Sequence, residues 1–321
     1  MIIVTGALGF IGSALIGELL RNGYGQIIAV DDFNKTDKLE NLENKNVLQR
    51  VSRNEFLKWM PEHAREIQFV FHIGARTKTN EFDLQVLQDL NVNYTKQIWG
   101  MCTQFSIPLI YASSAATYGN GENGFDDDPA TRNNLKPMNP YGNSKQEVDV
   151  WISEQTETPP FWAGFKFFNV FGANEFHKDR MASVVFHAFN QIKETGTMKL
   201  FKSYRADYAD GEQRRDFVYI KDVLNVLMYF MENRKNSGIY NLGSGQSHTF
   251  KELAQGVFKA LQVEESIQYI DMPIDIRDNY QYYTEANMHR IREAGYKKDF
   301  WDFEAAIGDY VTDYLIPHKY L

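Results

Sequence analysis

The sequence predicts an α/β fold in which a doubly wound parallel sheet is joined to a smaller domain. Two observations carry this prediction. Apolar strands alternate with helical periodicity through the first half of the chain, and a glycine-punctuated turn joins the first strand to the first helix. Such alternation is typical of parallel strands connected by right-handed crossovers, with helices on both faces. The chain has 321 residues, 43% of them hydrophobic, which is enough to bury a full core.

Each element follows from its own pattern. Short apolar runs predict strands over 2–5, 26–31, 46–51, 68–73, 107–112 and 161–168. Apolar residues at helical spacing predict helices over 10–22, 81–104 and 141–156. After Gly172 the pattern becomes irregular, and the polar stretch over 205–213 predicts an exposed loop. We therefore expect a smaller domain in the second half of the chain.

The turn after the first strand has the composition of a dinucleotide site. Gly6 permits a tight turn, Gly9 permits close approach of the backbone to a pyrophosphate, and Gly12 permits the helix to pack against the strand. The amides that open the helix would face the anion. The spacing is G-x-x-G-x-x-G, and its place between a strand and a helix predicts cofactor binding.

An acidic pair ends the second strand. Asp31 and Asp32 follow the glycines by about 20 residues, where a carboxylate accepts hydrogen bonds from the adenosine ribose. Lys38 and Arg53 would neutralise a 2′-phosphate, which favours NADP, with NAD as the alternative. We expect an NADP-binding Rossmann domain over 1–170 and 217–246, and an α/β substrate-binding domain over 171–216 and 247–321.

The catalytic prediction rests on Tyr141 and Lys145, the only Y-x-x-x-K spacing among 18 tyrosines. Residues four apart share one face of a helix. A tyrosine ionises near pH 10, so its use as a base near neutrality requires positive charge from the lysine and an oxidised nicotinamide. Ser114, at the end of the fifth predicted strand, would bond the same substrate oxygen.

Composition disfavours several other functions. The net charge of -8 comes without a basic stripe, which argues against nucleic acid as a partner. We expect no membrane span, because no apolar stretch is long enough, and no signal peptide, because Met1 opens the first strand. The single cysteine, Cys102, fits a cytoplasmic location. The seven histidines lack ligand spacing, so we expect no metal site.

Several blocks together carry a family resemblance. The glycine turn, the stretch 113–119, the Tyr141 and Lys145 pair and the stretch 215–219 resemble extended short-chain dehydrogenase/reductases that act on nucleotide sugars. Within that superfamily, 168–172 followed by His177-Lys178 and 181–184 resembles the ADP-glyceromanno-heptose 6-epimerases. The resemblance implies epimerisation at C-6 of ADP-D-glycero-D-manno-heptose by transient oxidation with bound NADP, for lipopolysaccharide inner-core synthesis. It also implies a homo-oligomer, with a pentamer typical.

The resemblance assigns roles residue by residue. Tyr141 and Lys178 would be the acid/base pair, and Lys145 would hold the cofactor ribose and tune Tyr141. Further cofactor contacts would come from Phe10, Ile11, Gly74, Ala75, Arg76, Asn91, Val170 and Lys178 itself. Substrate contacts would come from Ser114, Asn169, Arg180, His187, Phe201, Lys202, Ser203, Tyr204, Arg215 and Tyr280.

Two departures and three alternatives remain. Asp179 and Arg180 stand where members of the resembled family often have glycine and serine, and the stretch between Phe201 and Arg215 is longer. A 4-epimerase of another nucleotide sugar would use Ser114, Tyr141 and Lys145 but leave Lys178 unassigned. A non-catalytic cofactor-binding module would need only the glycine turn. A dehydratase is disfavoured, because 115–116 are alanines where such enzymes carry Asp-Glu.

Overall fold

The computed structural model describes residues 1–77, 81, 83–277 and 280–321. In that part of the chain the strands are β1 (Ile2–Thr5), β2 (Ile27–Asp31), β3 (Gln49–Ser52), β4 (Phe69–His72), β5 (Leu109–Ser114), β6 (Trp162–Phe167), β7 (Asn169–Phe171), β8 (Met198–Phe201), β9 (Arg214–Tyr219), β10 (Gly238–Leu242), β11 (Ser247–Thr249) and β12 (Ile267–Ile270).

The helices are α1 (Phe10–Arg21), α2 (Arg53–His63), α3 (Leu84–Leu87), α4 (Tyr94–Gln104), α5 (Pro140–Ser153), α6 (Val184–Thr195), α7 (Ile220–Glu232), α8 (Phe250–Leu261), α9 (Ile274–Arg277), α10 (His289–Glu293) and α11 (Phe303–Tyr310). Short 3-10 segments cover Thr36–Leu42, Ala64–Glu66, Ala115–Tyr118, Arg132–Asn134 and Phe176–Met181. Wider π turns cover Gln88–Asn93 and Val311–Leu315.

Seven strands form one parallel sheet in the order β10-β6-β5-β4-β1-β2-β3. The order reverses direction between β1 and β4, which pair from Ile2 with Phe69 to Thr5 with His72. In a doubly wound sheet this reversal opens a crevice at the carboxyl ends of the two strands, where ligands bind. The predicted doubly wound fold is confirmed, and the predicted strands match those observed with small shifts at their ends.

Helices cover both faces of the large sheet because alternate strand residues point to opposite sides. Val4 packs on the face covered by α1 and α7, with Leu15 and Val223. Ile3 packs on the opposite face, with Phe56 of α2 and Ile98 of α4. Such continuous burial explains why the strands read as apolar runs.

The second half of the chain builds two smaller sheets. In one, β9 pairs with β7 in parallel and with β11 in antiparallel orientation, and in the other β12 pairs with β8. Because β7 begins two residues after β6 ends, the chain passes directly from the large sheet into this region. The predicted polar loop is exposed at most positions, but Gly211 and Gln213 are buried. The domain boundaries stay a prediction.

The helix predicted over 81–104 is divided into α3, the π turn and α4. No helix of the described residues combines the length and hydropathy needed to cross a membrane. Over the same described ranges, no group of three or more His, Cys, Asp or Glu side chains could hold a metal ion.

Candidate functional site

The glycine turn contacts the loop after β4 at the point where the strand order reverses. Gly6 has a φ of +69°, and a Cβ there would lie 2.5 Å from the Cα of Gly74. A Cβ on Gly12 would lie 2.1 Å from the carbonyl oxygen of Gly6. The first amides of α1, including those of Phe10 and Ile11, have no intrahelical partner, as in any helix. Gly9, which precedes the helix, provides no side-chain cap for them either. This cradle fits a dinucleotide diphosphate.

Asp31 fastens this turn to the end of β2. Its Oδ2 accepts a hydrogen bond from the amide of Leu8 at 2.9 Å, and its Oδ1 accepts one from the amide of Asp32 at 2.7 Å. A carboxylate oxygen has more than one acceptor position, so ribose hydroxyls can still bond there. Arg53 opens α2, and its Nε is buried without a partner among the described residues. An arginine with an unpaired donor at this position suits the 2′-phosphate that distinguishes NADP from NAD.

Asn91 holds the loop after β4 against α5. Its Oδ1 accepts a hydrogen bond from the amide of Arg76 at 2.7 Å, and its Nδ2 donates to the carbonyl of Arg76 and to Oγ of Ser144, each at 3.0 Å. The π turn that interrupts the predicted helix therefore carries the residue that anchors 74–76. The guanidinium of Arg76 pairs with Glu81 at 2.7 Å.

Tyr141, Lys145 and Ser114 are brought together by α5 and the end of β5. Oδ1 of Asn139 caps α5 by accepting a hydrogen bond from the amide of Gly142 at 2.8 Å. Nζ of Lys145 donates to the carbonyl of Ala112 at 2.8 Å. Ser114 lies close enough to Tyr141 for its side chain to lower the pKa of the phenol. The end of β5 and the first turns of α5 therefore bring three of the predicted catalytic side chains to one place.

The environment shifts both titratable groups. Burial raises the pKa of Tyr141, the hydrogen bond from Ser114 lowers it, and the carboxylate of Asp149 raises it. Burial lowers the pKa of Lys145 to about 8, and Asp149 opposes that shift. A tyrosine in this state needs additional positive charge before it can act as a base near neutrality.

Lys178 lies beside the start of α1. Its Nζ is 5.0 Å from the centroid of the Phe10 ring, a cation–π distance. Burial lowers its pKa, and Glu175 opposes the shift. No hydrogen bond joins Lys178 to Tyr141 in the part of the chain that the structure describes. The paired acid/base arrangement therefore stays a prediction.

His177, a neutral imidazole near pH 7, lies between the cationic side chains of Lys38 and Lys178. Burial first, then the charges of Lys38 and Lys178, lower the pKa of His177 to about 4. Its Nδ1 lies 2.9 Å from Nδ2 of Asn41, which also donates to the carbonyl of Leu8 in the glycine turn. The predicted 2′-phosphate ligand Lys38 and the predicted base Lys178 are therefore neighbours of one imidazole.

Arg215 offers a buried guanidinium whose charge is not balanced. Its Nη1 donates to the carbonyl of Arg214 at 2.8 Å, and its Cζ lies 5.4 Å from the ring centroid of Tyr280 and 5.6 Å from that of Phe250. Burial lowers its pKa. Among the described residues no carboxylate forms an ion pair with it. A planar donor of this kind fits a diphosphate.

The other predicted substrate contacts are placed in two sets. Phe201 ends β8 and its ring lies 6.1 Å from that of Tyr280. Lys202 and Tyr204 both bond Asp271, at 3.2 and 3.0 Å, and Ser203 lies between them. Asn169, with Val170 beside it, and His187 and Arg180 are exposed or partly exposed. No side-chain hydrogen bond joins those residues to Arg215 over the described ranges.

Sequence reasoning missed the buried pair of Asp149 and Lys166. Their side chains are 0% and 2% exposed, and Nζ of Lys166 lies 2.7 Å from Oδ2 of Asp149. One signal was present, because Asp149 follows Lys145 by four residues and so shares its helix face. Lys166 gave little signal, because it reads as one charge within an apolar strand.

A dinucleotide cradle at the sheet's switch point, together with a tyrosine, a lysine and a serine on neighbouring elements, defines a nicotinamide-dependent enzyme of the short-chain dehydrogenase/reductase class. The chain belongs to the NAD dependent epimerase/dehydratase family, whose model matches residues 2–243. A nicotinamide dinucleotide is the cofactor of this family, and the residues described above fit it.

Named relatives match along almost the whole chain. An ADP-L-glycero-D-manno-heptose-6-epimerase of Fusobacterium nucleatum is 44% identical, covering 98% of each chain. One of Nitratidesulfovibrio vulgaris is 41% identical with the same coverage. A crystal structure of the Helicobacter pylori ADP-L-glycero-D-manno-heptose-6-epimerase has a TM-score of 0.81 at 26% identity, covering 99% of this chain and 95% of that one.

Proposed function

We propose that this chain epimerises ADP-D-glycero-D-manno-heptose at C-6 to the L-glycero isomer, supplying precursor for the lipopolysaccharide inner core. The observation that carries the proposal is the identity of 41–44% over 98% of the chain to enzymes of that name. Lys178, lying against the cofactor turn, adds support. A 4-epimerase would leave that lysine without a role.

A nicotinamide dinucleotide held by the glycine turn would supply reversible hydride transfer at C-6, out from one face and back to the other. Tyr141 accepts the proton of the C-6 hydroxyl, while Ser114 donates a hydrogen bond to the same oxygen. Lys145 supplies the positive charge that offsets the raised pKa of Tyr141. The net reaction consumes no oxidant, because the same hydride is returned.

Lys178 acts as the second acid/base group in this proposal. After the aldehyde reorients, its oxygen faces a different side of the pocket, and a second proton donor is then needed. Burial lowers the pKa of Lys178, so the amine releases a proton closer to neutrality than a free lysine does. Arg215 would hold the diphosphate at the far end through paired hydrogen bonds.

The direct test is proton NMR of the C-6 configuration during incubation of purified, cofactor-loaded protein with ADP-D-glycero-D-manno-heptose. We expect the D-glycero signals to convert to a mixture with the L-glycero isomer. A parallel incubation with UDP-glucose tests the 4-epimerase alternative. Absence of heptose interconversion together with formation of UDP-galactose would replace the proposal with that alternative.

We further propose NADP as the preferred cofactor, because Arg53 follows Ser52, the register partner of Asp31, and its Nε has no partner among the described residues. Lys38 lies on the 3-10 segment that follows β2. Heat stability measured with NADP and with NAD checks this. We expect the larger rise with NADP, and we expect Lys38→Ala to remove most of that difference. Equal rises with both dinucleotides would contradict the preference.

We also propose that the enzyme acts in the cytoplasm as a homo-oligomer, with a pentamer as the expected assembly. This follows the resemblance noted in the sequence. Light scattering coupled to size-exclusion chromatography measures the mass, which we expect at five times the 37.2 kDa of one chain. A monomeric mass would contradict the proposed assembly.

A further inference from the structure

One face of α5 carries a third polar residue beyond the two that motif reasoning finds. Tyr141, Lys145 and Asp149 are spaced at four-residue intervals, so all three point toward β5. Asp149 is fully buried and accepts three hydrogen bonds: from the hydroxyl of Tyr111 at 3.0 Å, from Oγ of Ser113 at 2.7 Å and from Nζ of Lys166 at 2.7 Å. The carboxylate is thus tied to two neighbouring strands.

Lys166 reaches the same strand end from the other side. Its Nζ donates to Oγ1 of Thr117 at 2.7 Å, and that hydroxyl donates to the carbonyl of Ser114 at 2.9 Å. The neighbouring Ser113 is held by Asp149. Ser114 is therefore fixed on both sides, through the side chain before it and through its own carbonyl.

We propose that Asp149 and Lys166 form a buried pair that positions Ser114 and balances the charge beside Lys145. Both are positioning residues, since neither is argued to touch the substrate. The inference rests on the proposed roles of Ser114 and Lys145. A buried ion pair contributes little net stability. The need to position Ser114 and to balance the charge beside Lys145 therefore explains better why two charges are buried there.

Asp149 and Lys166 should shift the pKa of Lys145 in opposite directions. Burial lowers the pKa of Lys145 to about 8, and Asp149 opposes the shift. If the carboxylate is removed, Lys145 loses its proton at lower pH. If Lys166 is removed instead, the Asp149 carboxylate loses its ion-pair partner, its charge acts more fully on Lys145, and Lys145 keeps its proton to higher pH.

The other groups around Lys145 do not reverse this direction. His72 on β4 is neutral in the relevant range, because burial lowers its pKa to about 3. Burial also raises the pKa values of Tyr111 on β5 and of Tyr141 on the same helix, so both phenols are neutral. Among the described residues, two further charged groups act on this cluster: Arg132 acts on Lys166 and Tyr111, and Asp127 acts on Lys166 and on the phenol of Tyr118.

The test compares Asp149→Asn with Lys166→Met, which break the same ion pair. We expect the alkaline limb of kcat against pH to move down by about one pH unit in Asp149→Asn and up in Lys166→Met. Lys166→Arg keeps the charge and should leave the limb in place. Lys221→Met is the control, because it breaks the separate Lys221–Asp309 pair and should not move the limb.

A substrate-free measurement separates this inference from the proposed function. The side-chain NMR signal of Lys145, assigned by its loss in Lys145→Met, can be titrated in each variant, and the same opposite shifts are expected. Shifts in one direction, or none, would overturn the inference even if heptose turnover is found. If either variant fails to fold, Ser113→Ala removes the hydrogen bond to Asp149, and Thr117→Val removes those to Lys166 and to the carbonyl of Ser114. Each should lower kcat several-fold at unchanged KM. Unchanged kcat in both would also overturn it.

Discussion

Two side chains carry the proton transfers in the proposed reaction, and each can be removed with little change of shape. Tyr141→Phe and Lys178→Met should each lower kcat by about 10²- to 10⁴-fold, the usual contribution of a general acid or base. Lys96→Met is a matched control, since Lys96 contacts Glu147 at 3.0 Å and the ring of Trp151 rather than the predicted catalytic side chains. Near-normal heptose turnover in Lys178→Met would contradict the role proposed for Lys178. Unfolding transitions in urea should show that all three variants are folded.

Asp179 follows Lys178 in a backbone conformation that suits glycine. Its φ of 46° and ψ of -126° lie where a β-carbon is strained. Asp179→Gly should therefore raise the free energy of unfolding by about 1 kcal/mol. Asp179→Ala removes the same carboxylate but keeps the β-carbon, so it should show no gain. Equal midpoints of urea unfolding for the two variants would contradict the strain argument.

At the scale of elements, the cap of α5 connects stability to catalysis. Asn139→Ala removes the acceptor for the amide of Gly142 and should lower the free energy of unfolding by about 1 kcal/mol. Because Tyr141 and Lys145 lie on the first turns of α5, kcat should fall as well. Asp302→Ala removes the equivalent cap of α11, which accepts from Ala305 at 3.0 Å, far from this helix in sequence. Asp302→Ala should lower the free energy of unfolding by a similar amount and leave kcat unchanged. A fall of kcat in both would indicate a global effect.

The elements that sequence predicts well are those with local signals. Asn139 and Pro140 mark the start of α5, and apolar runs mark the buried strands, because both signals lie within a few residues. The division of the predicted helix over 81–104 has no such signal, since Asn91 is positioned by its contacts with Arg76 and Ser144. Lys166 and Asp149 likewise pair across two elements. Periodicity and motif spacing cannot predict contacts between residues that lie far apart in the sequence.

At the scale of the whole molecule, the site depends on where the large sheet reverses its strand order. Periodicity predicts that a doubly wound sheet forms, and the glycine turn predicts which crevice binds the dinucleotide. The sequence does not predict how β7, β9 and the loops of the second half return to that crevice, because those segments are short and irregular. Arg215 and Tyr280 meet across 65 residues of chain, because the amides on either side of Arg215 bond the segment of Tyr280: Arg214 donates to the carbonyl of Tyr282 at 2.9 Å, and Asp216 to Oγ1 of Thr284 at 3.0 Å.

Two buried titratable groups, one basic and one acidic, should make the stability of the fold change with pH in opposite directions. The pKa of His177 is lowered to about 4, so between that value and 6.5 only the unfolded chain binds the proton, and stability is lost as pH falls. Burial raises the pKa of Asp222 to about 6, so the folded chain keeps a proton that the unfolded chain has released, and stability is lost as pH rises from about 4 to 6. The two effects oppose each other across the same range.

Substitutions at these two groups should therefore tilt the stability profile in opposite directions. His177→Asn should gain stability relative to the parent protein as pH falls from about 6.5 to about 4.5. Asp222→Asn, which keeps a side-chain oxygen for the amide of Trp301, should gain relative stability as pH rises from about 4 to 6. Urea unfolding at several pH values measures both differences. Parallel profiles for the two variants would show that neither group couples proton binding to folding.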